Sequence, residues 1–317
     1  MRQVEGLHHV TAIAGSAQEN VDFYAGLLGM RLVKRSVNQD DPGTYHLFYA
    51  DAAGHPGTDL TFFPWAQLAP SRPGAGLANE VSLAVPPGTL GWWEERLAAR
   101  DVRRDPVETR FGERALPIED PHGLRVALVE TSSAHDRAFA PWEGSTVPAD
   151  HQIRGLDGAR IQVRQLGPTT AMIGGAMGFR AGGSEGEWHR WEVPSGGSGR
   201  HLDLRELPDA RRGAWGTGSI HHLAFRVGDD EHQLAVRAQV EEGGAQPTEV
   251  IDRFWFRSVY FKEPGGVLFE LATDGPGFGV DEALEHLGES LVLPPWLEAH
   301  RSEIEAVLPP LTLPGPS

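Results

Sequence analysis

Cysteine is absent from the 317 residues. That removes disulfides, thiol nucleophiles and structural zinc clusters of the Cys type, and it fits a reducing cytosol, so a cytoplasmic location is expected. Basic residues are also scarce, with 28 Lys plus Arg against 44 Asp plus Glu and a formal net charge of −16. Such a chain repels phosphate backbones, which argues against nucleic acid as a partner. Long apolar runs are missing too. No stretch approaches the ~18 residues of a membrane span, and "MRQVEGLHHVTAI" carries acid and histidine inside its early apolar run, so no signal peptide and no membrane association are expected. With 40% hydrophobic residues, the length suits two ordinary domains or several small repeated units that share cores.

What is present is repetition. Arg110 to Val129, "RFGERALPIEDPHGLRVALV", aligns without a gap on Arg253 to Ala272, "RFWFRSVYFKEPGGVLFELA", at an offset of 143 residues (253 − 110). A weaker match sets Leu28-Gly29-Met30-Arg31 over Met177-Gly178-Phe179-Arg180, at an offset of 149 (177 − 28). The chain divides on this basis into an N-terminal half, 1–131, holding units 5–64 and 78–131, and a C-terminal half, 151–273, holding units 153–207 and 218–273. Residues 132–150 have the composition of a linker, and 274–317 form a tail in which Pro294 to Leu308 supports one helix.

Each unit reads as a short apolar strand, a helix, then two or three strands joined by tight turns. Ser16 and Glu19 form a capping box before Val21, Tyr24 and Leu28 at helical spacing, with Gly29 as the stop. Thr89 is placed to cap a helix with Leu90, Trp93 and Leu97 on one face, and Asp229 or Asp230 starts another that Gly243-Gly244 ends. Acid-Pro-x-Gly at Asp120 to Gly123 and at Glu263 to Gly266 marks the turn before a unit's last strand. The fold class is α+β, four βαβββ modules.

Two first strands carry a histidine pair, "LHHV" and "IHHL". A lone pair of this kind is more often packed or solvated than ligating. Here both fall at the same place of an internal repeat, His9 in the first unit and His222 in the fourth, while Glu270 lies in the fourth unit's last strand. The matching sites elsewhere are Glu80 and Ala127 in unit two, Gly158 and Asp203 in unit three, and Thr61 at the end of unit one. If units one and four pair about a pseudo-two-fold axis, two imidazoles and a carboxylate converge and leave coordination positions open, the facial set used by non-haem Fe(II) oxygenases. His46, His55, His122, His135, His151, His189, His201, His232, His286 and His300 lack this register support and read as structural or solvated.

"LHHVT", "LLGMRLVKRSVNQDD", "TYHLFYAD", "HPGTDLTFFP", "TRFGER" and "IHHLAF" through "GGVLFE" resemble the vicinal oxygen chelate superfamily, in particular its ring-cleaving dioxygenase branch that acts on hydroquinones. The resemblance runs over nearly the whole chain. It implies two cupped mixed sheets, Fe(II) on His9, His222 and Glu270, and an aromatic diol and O2 as partners. It further implies that His8, Thr11, His221, Arg253 and Tyr260 surround substrate and oxygen. On an ideal strand, however, His8 and His221 point away from the ligand face that Thr11 shares, so they reach the site only through a twist or bulge.

In a hydroquinone the second hydroxyl is para to the first and cannot share the metal; Arg253 and Tyr260, in the strands preceding Glu270, are the candidates to hold it. A neighbouring histidine would serve as acid or base near neutral pH. Arg110 matches Arg253 in a unit without ligands, so a purely structural arginine is the competing expectation. A glyoxalase-type isomerase, the first alternative, usually supplies four protein ligands, and Thr61 at the fourth place is a poor one. The second, a metal-free small-molecule binding or resistance protein of the same fold, has no need of the His/His/Glu set. Zn(II) and Mn(II) are alternative metals, and homo-oligomerisation is left open.

Overall fold

The computed structural model describes residues 2–194 and 197–314. Unit one runs β1 (Leu7–Ala14), α1 (Ala17–Val21), a π-helical turn over Asp22–Leu27, β2 (Arg31–Asn38), β3 (Asp41–Ala50) and β4 (Asp59–Pro64). Unit two follows with β5 (Leu77–Val85), α2 (Leu90–Ala98), β6 (Glu108–Arg110), β7 (Glu113–Glu119) and β8 (Arg125–Glu130). In unit three the order is β9 (Leu156–Val163), α3 (Leu166–Gly175), β10 (Arg180–Glu185), β11 (Trp188–Glu192) and β12 (His201–Glu206). Unit four contains β13 (Ile220–Val227), α4 (Asp230–Glu242), β14 (Ile251–Asp252), β15 (Arg257–Lys262) and β16 (Leu268–Thr273). The expected strand, helix, three-strand order is present in all four.

The units pair as outer with outer and inner with inner. One eight-stranded mixed sheet has the order β14-β15-β16-β13-β1-β4-β3-β2, and the other β10-β11-β12-β9-β5-β8-β7-β6. Antiparallel pairing of β1 with β13 joins units one and four, and that of β5 with β9 joins two and three. The sheet that carries both histidine pairs is therefore assembled from the two ends of the chain.

Local chemistry explains the repetition. A glycine with positive φ precedes every first strand: Gly6 (98°), Gly76 (85°), Gly155 (103°) and Gly218 (80°). A side chain would also collide there, since a Cβ on Gly6 would lie 2.5 Å from Ser198 O and one on Gly218 2.3 Å from His122 O. The two acid-Pro-x-Gly turns close alike. Asp120 Oδ1 accepts from the His122 and Leu124 amides at 2.8 Å each, and the Glu263 carboxylate accepts from Gly265 and Val267 at 2.8 and 2.9 Å. Each carboxylate is then held from another unit, by Tyr24 Oη (3.0 Å) or Thr169 Oγ1 (2.7 Å).

Capping follows the sequence at two helices and departs at one. Ser16 Oγ accepts from Glu19 N (3.3 Å) and Asp229 Oδ1 from His232 N (2.8 Å). Thr89 does not cap α2: its hydroxyl donates to Pro86 O (2.7 Å), and Glu130 Oε1 takes the Leu90 amide instead (2.9 Å). The tail helix is also shorter than the sequence suggests, with a 3-10 turn at Glu298–His300 leading into α5 (Arg301–Val307). The Pro294-Pro295 pair delays it, because proline cannot donate within a helix and disfavours helical backbone before it. The tail braces the outer sheet. Asp281 accepts from the buried Lys34 Nζ (2.7 Å) and from Trp255 Nε1 (3.0 Å), tying β2 to the wall that Trp255 contributes. Side chains from all four units form one continuous apolar core.

Candidate metal centre

β1 and β13 are the central strands of the outer sheet, so their inward side chains meet inside its cup. His9 Nε2 lies 3.3 Å from His222 Nε2 and 3.3 Å from Glu270 Oε2, and His222 Nε2 lies 2.9 Å from that same oxygen. All three side chains are buried, at 5% exposure or less. Ligand bonds of about 2.0 to 2.2 Å meeting at 90 to 110° place their donor atoms about 3 to 3.5 Å apart, which is the size of this triangle. Glu270 Oε2 is a buried oxygen without a hydrogen-bond partner among the described residues. Ser258 Oγ donates to the other oxygen, Oε1, at 2.6 Å and so turns Oε2 toward the imidazoles. The donor set fits a divalent cation. Burial works against the Glu270 carboxylate, but the two imidazoles outweigh it and hold the group well below the usual carboxylate range.

His8 and His221 stand behind the inner pair rather than in the cavity. The His8 and His9 Nδ1 atoms are 3.0 Å apart, and those of His221 and His222 are 2.8 Å apart. Matching irregularities in the β1–β13 ladder make this possible: between Leu7 and His9 the register slips by a residue at His8, and between Ile220 and His222 it slips at His221. A bulged residue escapes the strict alternation of a strand, so His8 and His221 reach the inner histidines, although neither lines the cavity as the resemblance implied. Burial, then the charge of the adjacent histidine, lowers His8 and His221 to about 3, so both imidazoles are neutral.

The cavity beside the triangle is lined by His9, His222, His46, Phe48, Arg253 and Tyr260, with Phe63, Trp255, Phe256 and the 38–40 turn around them. Its volume of about 40 Å³ leaves room for a few water molecules beside the triangle. Arg253 is not on a strand, as the sequence suggested, but in the loop after β14. There its guanidinium pairs with Asp40 (2.8 Å) and lies 5.5 Å from the Tyr260 ring centroid. The Tyr260 ring is 5.7 Å from that of His222. Thr11 Oγ1 faces Thr61 Oγ1 at 2.8 Å.

Ser258 and His46 are the neighbours that the sequence did not single out. Ser258 precedes Tyr260 by two on the same strand face, a signal available once β15 is assigned. His46 bonds Thr61 through Nε2 (2.9 Å) and packs on Phe48 and Phe63, so it belongs to the cavity wall and not to the solvated histidines.

The inner sheet retains the register and loses the donors. Slips recur at Asn79 and Asp157 in the β5–β9 ladder. In the ligand places, Glu80 pairs with Arg110 (2.5 Å) and Asp203 with Arg190 (2.8 Å), while the His201 imidazole lies 2.5 Å from where a Cβ on Gly158 would stand. Even the backbone repeats: Phe111 and Phe254, 143 residues apart (254 − 111), both have positive φ, 49° and 75°.

Residues 6–128 match the Glyoxalase/Bleomycin resistance protein/Dioxygenase superfamily. MhqO of Bacillus subtilis (strain 168), provisionally named a ring-cleaving dioxygenase, is 42% identical over 98% of this chain and 97% of its own. A chlorohydroquinone/hydroquinone 1,2-dioxygenase of Sphingobium indicum is 36% identical, with 95% of each chain covered. Among solved structures, a provisionally assigned dioxygenase from Bacillus subtilis superposes with a TM-score of 0.92 at 41% identity, over 99% of this chain and 100% of that one. Glyoxalase I from Zea mays, 13% identical with a TM-score of 0.62 over 85% of this chain and 92% of its own, shares the fold.

Proposed function

Since the chain belongs to the glyoxalase/bleomycin resistance protein/dioxygenase superfamily, we propose that its outer sheet is the metal centre of a ring-cleaving dioxygenase acting on hydroquinone-type diols. The activity is ring cleavage, the reaction named for relatives that cover nearly the whole chain. The observation that carries the site is the triangle of His9 Nε2, His222 Nε2 and Glu270 Oε2, 2.9 to 3.3 Å on a side, with Thr61 in place of a fourth ligand. When bound there, Fe(II) supplies redox chemistry and open coordination positions that an aromatic diol and dioxygen can share. Zinc accepts the same three donors, so the assignment of iron rests on likeness to the dioxygenases.

The remaining roles belong to the chain. His8 and His221, as neutral acceptors at Nδ1, hold the protons of His9 and His222 on their Nδ1 atoms and leave Nε2 free for the metal. Ser258 fixes the carboxylate. Arg253 and Tyr260 face the cavity from the β15 side and are assigned to the hydroxyl that is para to the one at the metal; Thr11 stands beside Thr61 on the neighbouring strand. The Arg253–Asp40 pair ties the 253–256 loop to the 38–40 turn at the cavity's edge. The functional division is then units one and four for chemistry, two and three for support, with 132–150 as the connection.

Metal analysis of anaerobically purified protein, followed by oxygen uptake with hydroquinone, catechol and the methylglyoxal-glutathione adduct, tests the assignment. Iron with oxygen-coupled ring opening of a diol is the expected result. Isomerisation of the adduct without oxygen uptake would replace the dioxygenase with a glyoxalase-type enzyme.

A further inference from the structure

The outer sheet places His46 and Ser258 at corresponding positions. Across β3 and β4, Phe48 stands opposite Thr61; across β15 and β16, Tyr260 stands opposite Glu270. His46 precedes Phe48 by two residues as Ser258 precedes Tyr260, and each bonds the residue in the ligand place of its own unit. Ser258 Oγ is 2.6 Å from Glu270 Oε1, and His46 Nε2 is 2.9 Å from Thr61 Oγ1. The first strands extend the correspondence. Thr11 stands opposite Thr61, and Ala224 opposite Glu270, so only unit one adds a second hydroxyl, 2.8 Å from Thr61.

We propose that His46 is a positioning residue, which fixes the hydroxyls of Thr61 and Thr11 as a hydrogen-bonding corner where a fourth protein ligand would stand. This inference rests on the three-donor metal site proposed above. A threonine hydroxyl is a weak donor to a metal, and a free one would rotate among its staggered positions. Bonded on one side to an imidazole and on the other to Thr11, the Thr61 oxygen is held in one place. The imidazole is itself immobilised, with centroids 3.8 Å from Phe48 and 4.4 Å from Phe63. The oxygen-bearing ligands of the reaction, diol and dioxygen, thus meet a fixed hydroxyl pair at that corner in place of a carboxylate that would occupy it.

His46→Phe keeps the aromatic stack and removes the bond, His46→Gln returns a hydrogen-bonding amide in the place of Nε2, and Thr61→Val removes the hydroxyl at constant shape. All three are expected to retain stoichiometric metal. His46→Phe should lower kcat for hydroquinone about tenfold or more while KM moves less than about threefold, the pattern of an interaction that matters after binding. Thr61→Val should match it, the double variant should lose no more than either single one, and His46→Gln should recover most of the loss. The visible spectrum of the Co(II)-loaded protein gives a reading without turnover: His46→Phe and Thr61→Val should alter it in the same way. Unchanged kcat in His46→Phe, additive losses in the double variant, or loss of metal overturns the inference. If the wild-type protein opens no diol ring, the dioxygenase assignment fails instead, and agreement or disagreement of the two Co(II) spectra alone decides the role of His46. Should His46→Phe not fold, Thr61→Val with its Co(II) spectrum carries the test: a wild-type spectrum and kcat overturn it.

Discussion

Nδ1 of His221 lies 2.8 Å from Nδ1 of His222, and the same relation recurs at 3.0 Å between His8 and His9. Only one nitrogen of each pair can carry the proton. If the inner imidazole offers its Nε2 lone pair to a metal, its Nδ1 must donate, and the buried neutral outer imidazole is a suitable acceptor. His221→Phe and His8→Phe should therefore lower metal affinity by about 10- to 100-fold, the usual effect of losing an outer partner of a ligand histidine. Competition against a chelator measures this. An affinity equal to wild type in both variants would mean that the outer histidines only pack.

Loss of a donor from the triangle should act more severely than loss of its support. His9→Ala, His222→Ala and Glu270→Ala are expected to fold, because apolar neighbours on β1, β13 and β16 carry the core, and to lose metal and ring cleavage. Ser258→Ala removes only the bond that aims the carboxylate, so it should weaken metal binding by about tenfold, one hydrogen bond's worth. Metal analysis after gel filtration separates the two classes. Full occupancy in any of the three alanine variants would take that residue out of the site.

The triangle was legible because the repeat register is carried by local signals: turns, glycines and histidine pairs at fixed offsets. The same register located the Glu80, Gly158 and Asp203 positions of the inner sheet. The bulges at His8 and His221 were not legible, since a bulge is a property of the pairing of two strands and leaves no mark in either alone. His46 was hidden for a related reason. Its partner Thr61 is fifteen residues away (61 − 46), and its likeness to Ser258 exists only in the ladders, as one residue is a histidine and the other a serine. The repeat register puts Arg253 with the strands that precede Glu270, yet the positive φ of Phe254 breaks the strand there.

Arg253 makes two contacts that pull in different directions. Asp40 holds it at the edge of the cavity and the Tyr260 ring lies near it, so the same side chain lines the cavity and, in the proposed binding mode, faces the far end of the diol. Arg253→Leu and Tyr260→Phe should reduce hydroquinone turnover by an amount corresponding to roughly 1 to 3 kcal/mol while metal content stays unchanged. Asp40→Ala frees the guanidinium without removing it and should spare most of the turnover. Kinetics with hydroquinone and catechol together check the assignment, because a catechol has no para hydroxyl and should be less affected. Wild-type kinetics in both Arg253→Leu and Tyr260→Phe would return these residues to the scaffold.

The inner sheet offers a pH test that does not involve the metal. Asp157 pairs with Arg137 at 2.5 Å, both side chains being at most 1% exposed. Burial alone would raise the Asp157 carboxyl, but His201, Arg137 and Arg200 outweigh it and hold it below its ordinary value. A folded-state pKa below the unfolded one means that the unfolded chain takes up a proton first on acidification. The stabilisation is therefore complete above the unfolded value of about 3.9 and is lost as pH falls from there through the lower folded value. Asp157→Asn leaves Arg137 buried without its counter-charge, which should cost about 3 to 5 kcal/mol at pH 7. The difference between wild type and variant should persist down to about pH 4 and shrink below it, as the wild-type carboxyl also becomes neutral. Denaturant unfolding at pH 7, 5 and 3.5 measures it. A difference that is the same at all three would show that the pair acts through packing and not through charge.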